Sequence, residues 1–195
     1  MRKAFTAVLL LFIVGCSFFS DRNMSDKELK ELEGRIIESI YDKEKLKSFL
    51  LVLDRAIEKY PNDTRLLNRR FDLYCRFGAL KNAKKDLERL IALTDNNSYR
   101  FFDCILVESI KGKTEETLAC YRHVYEIQKA KPEKYDIVLV LSALMAELSE
   151  AADLRTQYLD ELKELNESYE PNMFMMNTEV LIPFDREKFL YENSK

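Results

Sequence analysis

YCRFGALKNAKKDLERL, from Tyr74 to Leu90, contains a glycine turn followed by a helix with one apolar face. Gly78 separates two amphipathic stretches, residues 64–77 and 79–94, and glycine accepts the backbone conformations that tight turns need. After the turn, small and apolar residues recur at spacings of four and three: Ala83, Leu87 and Leu90. That spacing is the period of a helix face, so the stretch predicts two antiparallel helices joined at Gly78.

The same arrangement recurs every 34 residues. Gly78 and Gly112 lie in turns 34 residues apart, and Pro61 and Asp95, each of which ends an amphipathic stretch, have the same separation. Other positions related by this shift stay apolar or small except at Thr117: Ile37, Phe71 and Ile105; Phe49, Ala83 and Thr117; Leu53, Leu87 and Tyr121; Ala56, Leu90 and Val124; Ile57, Ile91 and Tyr125. A fixed period of this length indicates stacked helical hairpins, because one hairpin cannot bury its apolar face alone.

Capping residues place the helix boundaries. Ser25 and Glu28 form a capping box that predicts a helix over about residues 26–41. Asp42 caps a second helix that ends near Tyr60. A third hairpin is expected over residues 98–129, followed by a strongly apolar helix after residue 132 and a last helix to about residue 166. No Gly or Pro separates these last two, so one long helix is the alternative.

The pattern resembles the tetratricopeptide repeat, a family of 34-residue helical hairpins. The resemblance covers about residues 30–129, with a weaker unit to about 166, and Tyr74–Leu90 matches it best. The sequence departs from the family pattern by lacking its tryptophan and by carrying large residues where its first helix has a small one: Ile37, Phe71 and Ile105. The resemblance implies an all-α fold, a short right-handed α-solenoid of three to four hairpins over residues 26–168.

Residues 169–195 depart from the repeat. They contain a methionine-rich cluster, Met173 to Met176, an extended stretch at 180–182, and Asp185 as the cap of a short helix. The preferred interpretation is a segment that covers the exposed apolar end of the solenoid. An adaptable binding surface is the alternative, because methionine side chains fit varied partners.

The N-terminus has the order of a secretory signal: Arg2 and Lys3, an apolar run from Ala4 to Val14, then Gly15 and Cys16. Residues 13–16 resemble the lipobox of bacterial lipoproteins. This resemblance implies that residues 1–15 are removed, that Cys16 is lipidated, and that residues 16–25 form a tether. Alternatives are an ordinary signal with an unmodified Cys16, or an uncut anchor reaching residue 19.

Lipidation would place the chain in the bacterial cell envelope. Ser17 follows Cys16, and the absence of Asp there favours the periplasmic face of the outer membrane in a typical Gram-negative host. Eight residues, Ser17 to Met24, separate Cys16 from the Ser25 cap, a root-mean-square reach of about 15 Å. The formal net charge of −3 argues against nucleic acid as a general partner.

Three further cysteines allow two states. We expect buried thiols at Cys75, Cys104 and Cys120, because an unbridged cysteine behaves as a small core residue. The alternative is a Cys104–Cys120 bridge, since the two residues lie eight positions either side of Gly112 and would stand level in a hairpin.

A binding surface is predicted on the first helices of the second and third hairpins. Four residues fall at i, i+4, i+7 and i+11 on one helix face: Arg65, Arg69, Asp72 and Arg76. Neighbouring positions complete the predicted surface: Asn68, Tyr99, Phe102, Leu106 and Ile110. Arginine beside exposed aromatics is typical of binding hot spots, and guanidinium groups hold carboxylates well. The alternative is a solvated face for the charges and a core position for the apolar residues.

Nothing in the sequence indicates an enzyme. His123 is expected at the surface, the four glycines form no phosphate-binding loop, and no cofactor or metal site is expected. Two functions follow from the anchor and the repeat: an envelope adaptor or assembly factor that binds an acidic or extended protein segment, or an immunity-type lipoprotein that inhibits an exported toxin.

Overall fold

The structure, a computed structural model, describes residues 23–37, 42–131, 136–166, 184, 186, 187 and 190. Within these residues the regular structure is helical throughout: α1 Asp26–Ile37, α2 Lys43–Lys59, α3 Thr64–Arg76, α4 Leu80–Thr94, α5 Asn97–Lys111, α6 Glu115–Lys129, α7 Ile137–Met145 and α8 Ala151–Asn166. The all-α prediction is confirmed, and neighbouring helices pack against each other as in a helical repeat array. Among these eight helices, none combines the length and the apolar character that crossing a membrane requires.

The predicted caps open the first two helices. Ser25 Oγ donates to Glu28 Oε2 at 2.6 Å and accepts from the Glu28 backbone N–H at 3.3 Å. The Ser25 backbone N–H also donates to Glu28 Oε2, at 3.2 Å, and the two bonds from Ser25 to this carboxylate favour its charged form and lower the pKa of Glu28. Asp42 accepts from the backbone N–H groups of Glu44 and Lys45, both at 3.1 Å. Both helices therefore begin where the sequence indicates.

The turns between helices use positive φ angles. Gly78 has φ +66° between α3 and α4, and Gly112 has φ +77° between α5 and α6. Asp95, with φ 51°, ends α4 in the left-handed conformation. Glycine takes these angles without a steric penalty, which explains why the turns recur where the glycines do.

The chain divides into two compact units, unit 1 over residues 1–74 and unit 2 over residues 75–195. In unit 1 the described buried apolar residues lie on three helices and at the C-cap of α2: Leu29, Leu32, Leu46, Phe49, Leu53, Ile57, Tyr60, Leu66, Leu67, Phe71 and Leu73. Arg70 Nη1 donates to Asp54 Oδ1 at 2.7 Å and links α3 to α2.

In unit 2, α7 is the most apolar element. Its sequence IVLVLSALM has no charged residue, and α5, α6 and α8 pack against it. Six of its nine residues are buried members of the core clusters of this unit: Val138, Leu139, Val140, Leu141, Ala143 and Met145. A helix that is apolar on all sides has to be covered on all sides, so α7 organises the packing of its neighbours.

The structure shows whether the last hairpin is two helices or one long helix. The helix ends at Met145, Ala146 forms its C-cap, and Glu147 takes φ 58° before α8 begins at Ala151. The apolar helix and its partner are therefore two helices rather than one.

The expectation of three free thiols is wrong. Cys104 and Cys120 form a disulfide, with their Cα atoms 5.7 Å apart. The physical reason is the α5–α6 hairpin, which turns at Gly112 and places the two residues level with each other. Cys75 is half-buried and lies outside this bridge.

The described residues near the C-terminus lie on unit 2. Phe184 and Leu190 pack against the core cluster that contains Tyr121 and Met145. Arg186 forms two parallel hydrogen bonds with Glu108, at 2.9 and 2.8 Å. These contacts agree with a segment that covers the core of unit 2. The predicted signal sequence, Cys16, the methionine cluster, the predicted extended stretch and Asp185 lie outside the described residues.

Candidate binding surface

Two of the predicted binding arginines, Arg65 and Arg69, contact carboxylates of the same chain. Arg65 Nη1 donates to Asp26 Oδ1 at 2.7 Å, and Arg69 Nη2 donates to Glu33 Oε1 at 2.5 Å. Both acceptors lie on α1, so this face of α3 holds a neighbouring helix. Within unit 1 both guanidinium groups therefore already have carboxylate partners on α1.

A buried carboxylate completes the contacts of Arg65. Asp63 is 1% exposed, and its Oδ1 accepts from the backbone N–H and the Nε of Arg65, both at 3.0 Å. Its Oδ2 accepts from Arg65 Nη2 and from the Met24 backbone N–H, both at 2.8 Å. Burial works to raise the pKa of Asp63, but these hydrogen bonds outweigh it and hold the pKa below its usual value.

The other predicted residues of α3 are partly accessible. Asn68 and Asp72 are half-buried and belong to unit 1. Arg76 is exposed and belongs to unit 2. Of the five predicted residues on α3, Arg76 presents its side chain most openly to solvent.

On α5 the predicted stripe is only partly at the surface. Ile110 is 49% exposed, and Tyr99 is half-buried. Phe102 is half-buried and packs against the core of unit 2. Leu106 is 2% exposed, so its side chain lies in the core rather than at the surface. Periodicity placed these residues on one helix but could not tell the buried edge of the stripe from the exposed edge.

Two exposed lysines on α4, Lys81 and Lys85, were missed as candidate binding residues. They lie one turn apart on the same side of the helix. The sequence does show them, since residues 65–85 carry seven basic residues and one acidic residue, Asp72. The predicted surface includes only three arginines of this run, Arg65, Arg69 and Arg76 on α3, and two of these form ion pairs with α1.

An ion pair fixes α4 against α5 beside these lysines. Lys84 Nζ lies 2.6 Å from Asp103 Oδ1, and the two side chains are 32% and 23% exposed. Burial works to lower the pKa of Lys84, but the hydrogen bond and charge of Asp103 outweigh it and raise the pKa. The lysine therefore stays protonated and holds the two helices in register.

Helix geometry places the exposed apolar residue Ile110 towards the same end of the α4–α5 pair as Lys81. Lys81 lies one turn from Lys84, and Ile110 lies two turns from Asp103 on the same side of α5. Because α4 and α5 run antiparallel, both steps lead towards the same end of the pair. We call this surface the α4–α5 face and define it by Lys81, Lys84, Lys85, Tyr99, Asp103 and Ile110.

The described part of the chain offers no metal-binding cluster. No group of three or more His, Cys, Asp or Glu side chains within it is arranged to hold a metal ion. His123 is exposed on α6. The chemistry that the α4–α5 face can supply is electrostatic and apolar contact.

Comparisons with known protein families, curated proteins and solved structures find no match for this chain. Its class is therefore defined by what the described residues show. They form an all-α protein of successively packed helices, with one disulfide between α5 and α6 and a basic, partly apolar face on α4 and α5.

Proposed function

We propose that the chain is a lipid-anchored protein of the bacterial envelope that binds another protein through the α4–α5 face, as an adaptor or assembly factor. The anchor is Cys16, in the lipobox-like sequence that follows the apolar N-terminal run. The repeat domain resembles tetratricopeptide repeats, which expose extended binding surfaces.

The disulfide supports export. Bonds such as Cys104–Cys120 form and persist mainly in oxidising compartments, including the bacterial periplasm, and are rare in the cytosol. Cys104 is fully buried, so the bridge is part of the core of unit 2. The disulfide in the core and the predicted secretory signal both favour a location on the periplasmic side of the inner membrane.

The composition of the α4–α5 face carries the binding proposal. Ile110 is 49% exposed on α5, whereas most large apolar side chains of unit 2 are buried. Lys81 and Lys85 are exposed, in contrast to Arg65 and Arg69 with their ion pairs to α1. A segment that carries carboxylates next to an apolar side chain matches this surface in charge and hydrophobicity.

Site-specific photo-crosslinking in cells tests the proposal. A photoreactive amino acid at position 110 should give an adduct with one envelope protein. The matched control is position 93. Leu93 is an aliphatic residue of the same size as Ile110 and is also exposed, at 41%, but it lies about 18 Å further along α4 than Lys81. Lys81→Glu with Lys85→Glu should abolish the adduct at 110. Equal adducts at both positions, or an adduct that survives charge reversal, would contradict the proposal.

The captured protein also decides between the two functions that a lipid-anchored binding protein can serve. An envelope component whose assembly fails when the chain is deleted identifies an adaptor or assembly factor. A soluble toxin against which the chain protects the cell identifies an immunity-type inhibitor.

A further inference from the structure

The main chain just before α1 is held from two sides. The Met24 N–H donates to Asp63 Oδ2 at 2.8 Å, and the Met24 carbonyl accepts from Arg65 Nη2 at 2.5 Å. These partners lie 39 and 41 residues further along the sequence. The chain is therefore fixed to the start of α3 before α1 begins.

Two arginines then hold α1 along its length. Arg65 contacts Asp26 in the first turn of α1, and Arg69 contacts Glu33 two turns later. Arg65 and Arg69 lie four residues apart on α3, on one face of that helix. We call the contacts of Met24, Asp26 and Glu33 with Asp63, Arg65 and Arg69 the α1 clamp.

Three helix ends meet at the clamp. α1 begins at Asp26, α2 ends at Lys59 and α3 begins at Thr64. The Asp63 N–H donates to the Tyr60 carbonyl at 3.2 Å, which ties the end of α2 to the same place. The chain that leads back to Cys16 therefore leaves unit 1 from this end.

We infer that this end of unit 1 faces a phospholipid surface; the inference rests on the proposed lipidation of Cys16. Seven residues, Ser17 to Asn23, join Cys16 to the clamp, and a flexible chain of this length spans about 15 Å. α2 has 17 residues and is about 25 Å long, so its start lies further from the attachment point than its end. The membrane is thus the partner of the clamp end, and the start of α2 projects away from it.

The clamp also keeps the tether short. If α1 separated from α3, the connection from Cys16 to α2 would run from Ser17 to residue 41, and a random chain of that length has a root-mean-square reach of about 27 Å. Since terminal elements are the parts of a domain that open most readily, the charge-assisted contacts of Arg65 and Arg69 with α1, together with the hydrogen bond of the Met24 N–H to the buried Asp63, oppose that opening. This gives Arg65 and Arg69 a role in positioning the protein at the membrane.

Tryptophan reporters can test this orientation, because the sequence contains no tryptophan. The chain from Cys16 onward, with Cys75→Ala, is coupled through the Cys16 thiol to a maleimide lipid in phosphatidylcholine vesicles. Glu58→Trp reports on the end of α2 and Lys45→Trp on its start; both positions are exposed and lie about 20 Å apart along the helix. Energy transfer to a dansyl-labelled headgroup is measured from each.

We expect several-fold stronger transfer from Glu58→Trp than from Lys45→Trp. A Gly/Ser insert of about ten residues after Ser20 should weaken transfer from Glu58→Trp, because it lengthens the tether. Equal transfer from the two positions, stronger transfer from Lys45→Trp, or no response to the insert would overturn the inference. The lipid is attached chemically, so these outcomes do not depend on lipidation in cells, which lipid labelling of the full chain tests separately.

Discussion

At the scale of single residues, Arg186 and Glu108 form a nearly buried ion pair in unit 2. Their side chains are 15% and 3% exposed. Arg186 also donates to the Met145 carbonyl at the end of α7 and lies over the Tyr121 ring, 5.6 Å from its centre. One side chain thus connects three helices to the C-terminal segment. Removing Arg186 leaves the Glu108 carboxylate buried without its partner, and removing Glu108 leaves Arg186 with only the more distant Glu147 carboxylate, at 3.8 Å.

Removing one partner of this ion pair should destabilise the protein more than replacing both partners with apolar residues. We expect Arg186→Met or Glu108→Met alone to lower the free energy of unfolding by about 3–5 kcal/mol, and the double variant to recover much of that loss. Urea unfolding of the four proteins measures it. Lys111→Ala, which removes an exposed ion pair with Glu116, is the control and should have a far smaller effect. Single variants no worse than this control would contradict the account.

Asp63 should contribute to stability in a pH-dependent way. Its pKa is lower in the folded protein than the 3.8 of the unfolded chain, so the unfolded state takes up protons first as the pH falls. The contribution is therefore complete above about pH 5 and is lost as the pH falls through the folded-state pKa. Unfolding free energies from pH 6 to about pH 2 should fall less steeply in Asp63→Asn than in the unmodified protein. Identical slopes would show that Asp63 does not titrate as the structure requires.

The ion pairs of Arg65 and Arg69 with α1 could not be predicted from the sequence. Periodicity correctly places Arg65 and Arg69 on one face of α3. Their partners on α1 lie 39 and 36 residues away, and no local pattern relates those positions. The sequence therefore identifies the charged face but not the helix that covers it.

At the scale of helices and turns, alanine substitutions at two glycines, Gly34 and Gly78, should change the stability in opposite directions. A Cβ added to Gly34 or Gly78 meets nothing within 4 Å, but Gly78 has φ +66° whereas Gly34 is inside α1. Gly34→Ala should raise the free energy of unfolding by about 0.5–1 kcal/mol, since alanine favours helix. Gly78→Ala should lower it by about 1 kcal/mol, because a side chain disfavours positive φ. Thermal unfolding measures both, and a shift of the same sign in both variants would contradict the turn assignment.

The Cys104–Cys120 bridge should stabilise the α5–α6 hairpin. It closes a loop with a sequence separation of 16, for which chain entropy predicts about 3 kcal/mol. We expect Cys104→Ala with Cys120→Ala to lower the free energy of unfolding by about 2–4 kcal/mol in urea. A reducing agent should destabilise the unmodified protein but leave this variant unchanged. Equal stability of the oxidised protein and the variant would show that the bridge contributes little.

Helix boundaries follow the sequence where a local signal sets them. Ser25, Asp42, Gly78 and Gly112 fix caps and turns through their own side chains or backbone freedom, and the structure has them there. The break at Glu147 has no such signal, since glutamate is not a turn residue. Its carboxylate contacts Lys113 and lies 3.8 Å from Arg186, so tertiary contacts accompany this turn and sequence reasoning could not locate it.

At the scale of the whole molecule, the sequence predicts a fold class and an anchor more fully than a partner. The 34-residue period predicts packed helical hairpins, and the described residues confirm an all-α protein. The binding surface depends on which faces remain exposed after packing, which a period cannot show. Leu106 is buried while Ile110, four residues later, is exposed.

Intact-mass spectrometry of the protein purified from cell membranes tests the central claim, that the chain is held to the envelope by lipid at Cys16. We predict a mature chain that begins at Cys16 and carries the added mass of acyl chains, and a Cys16→Ser variant that keeps residues 1–15 and carries none. An unacylated chain, or a mass addition that persists in Cys16→Ser, would contradict it.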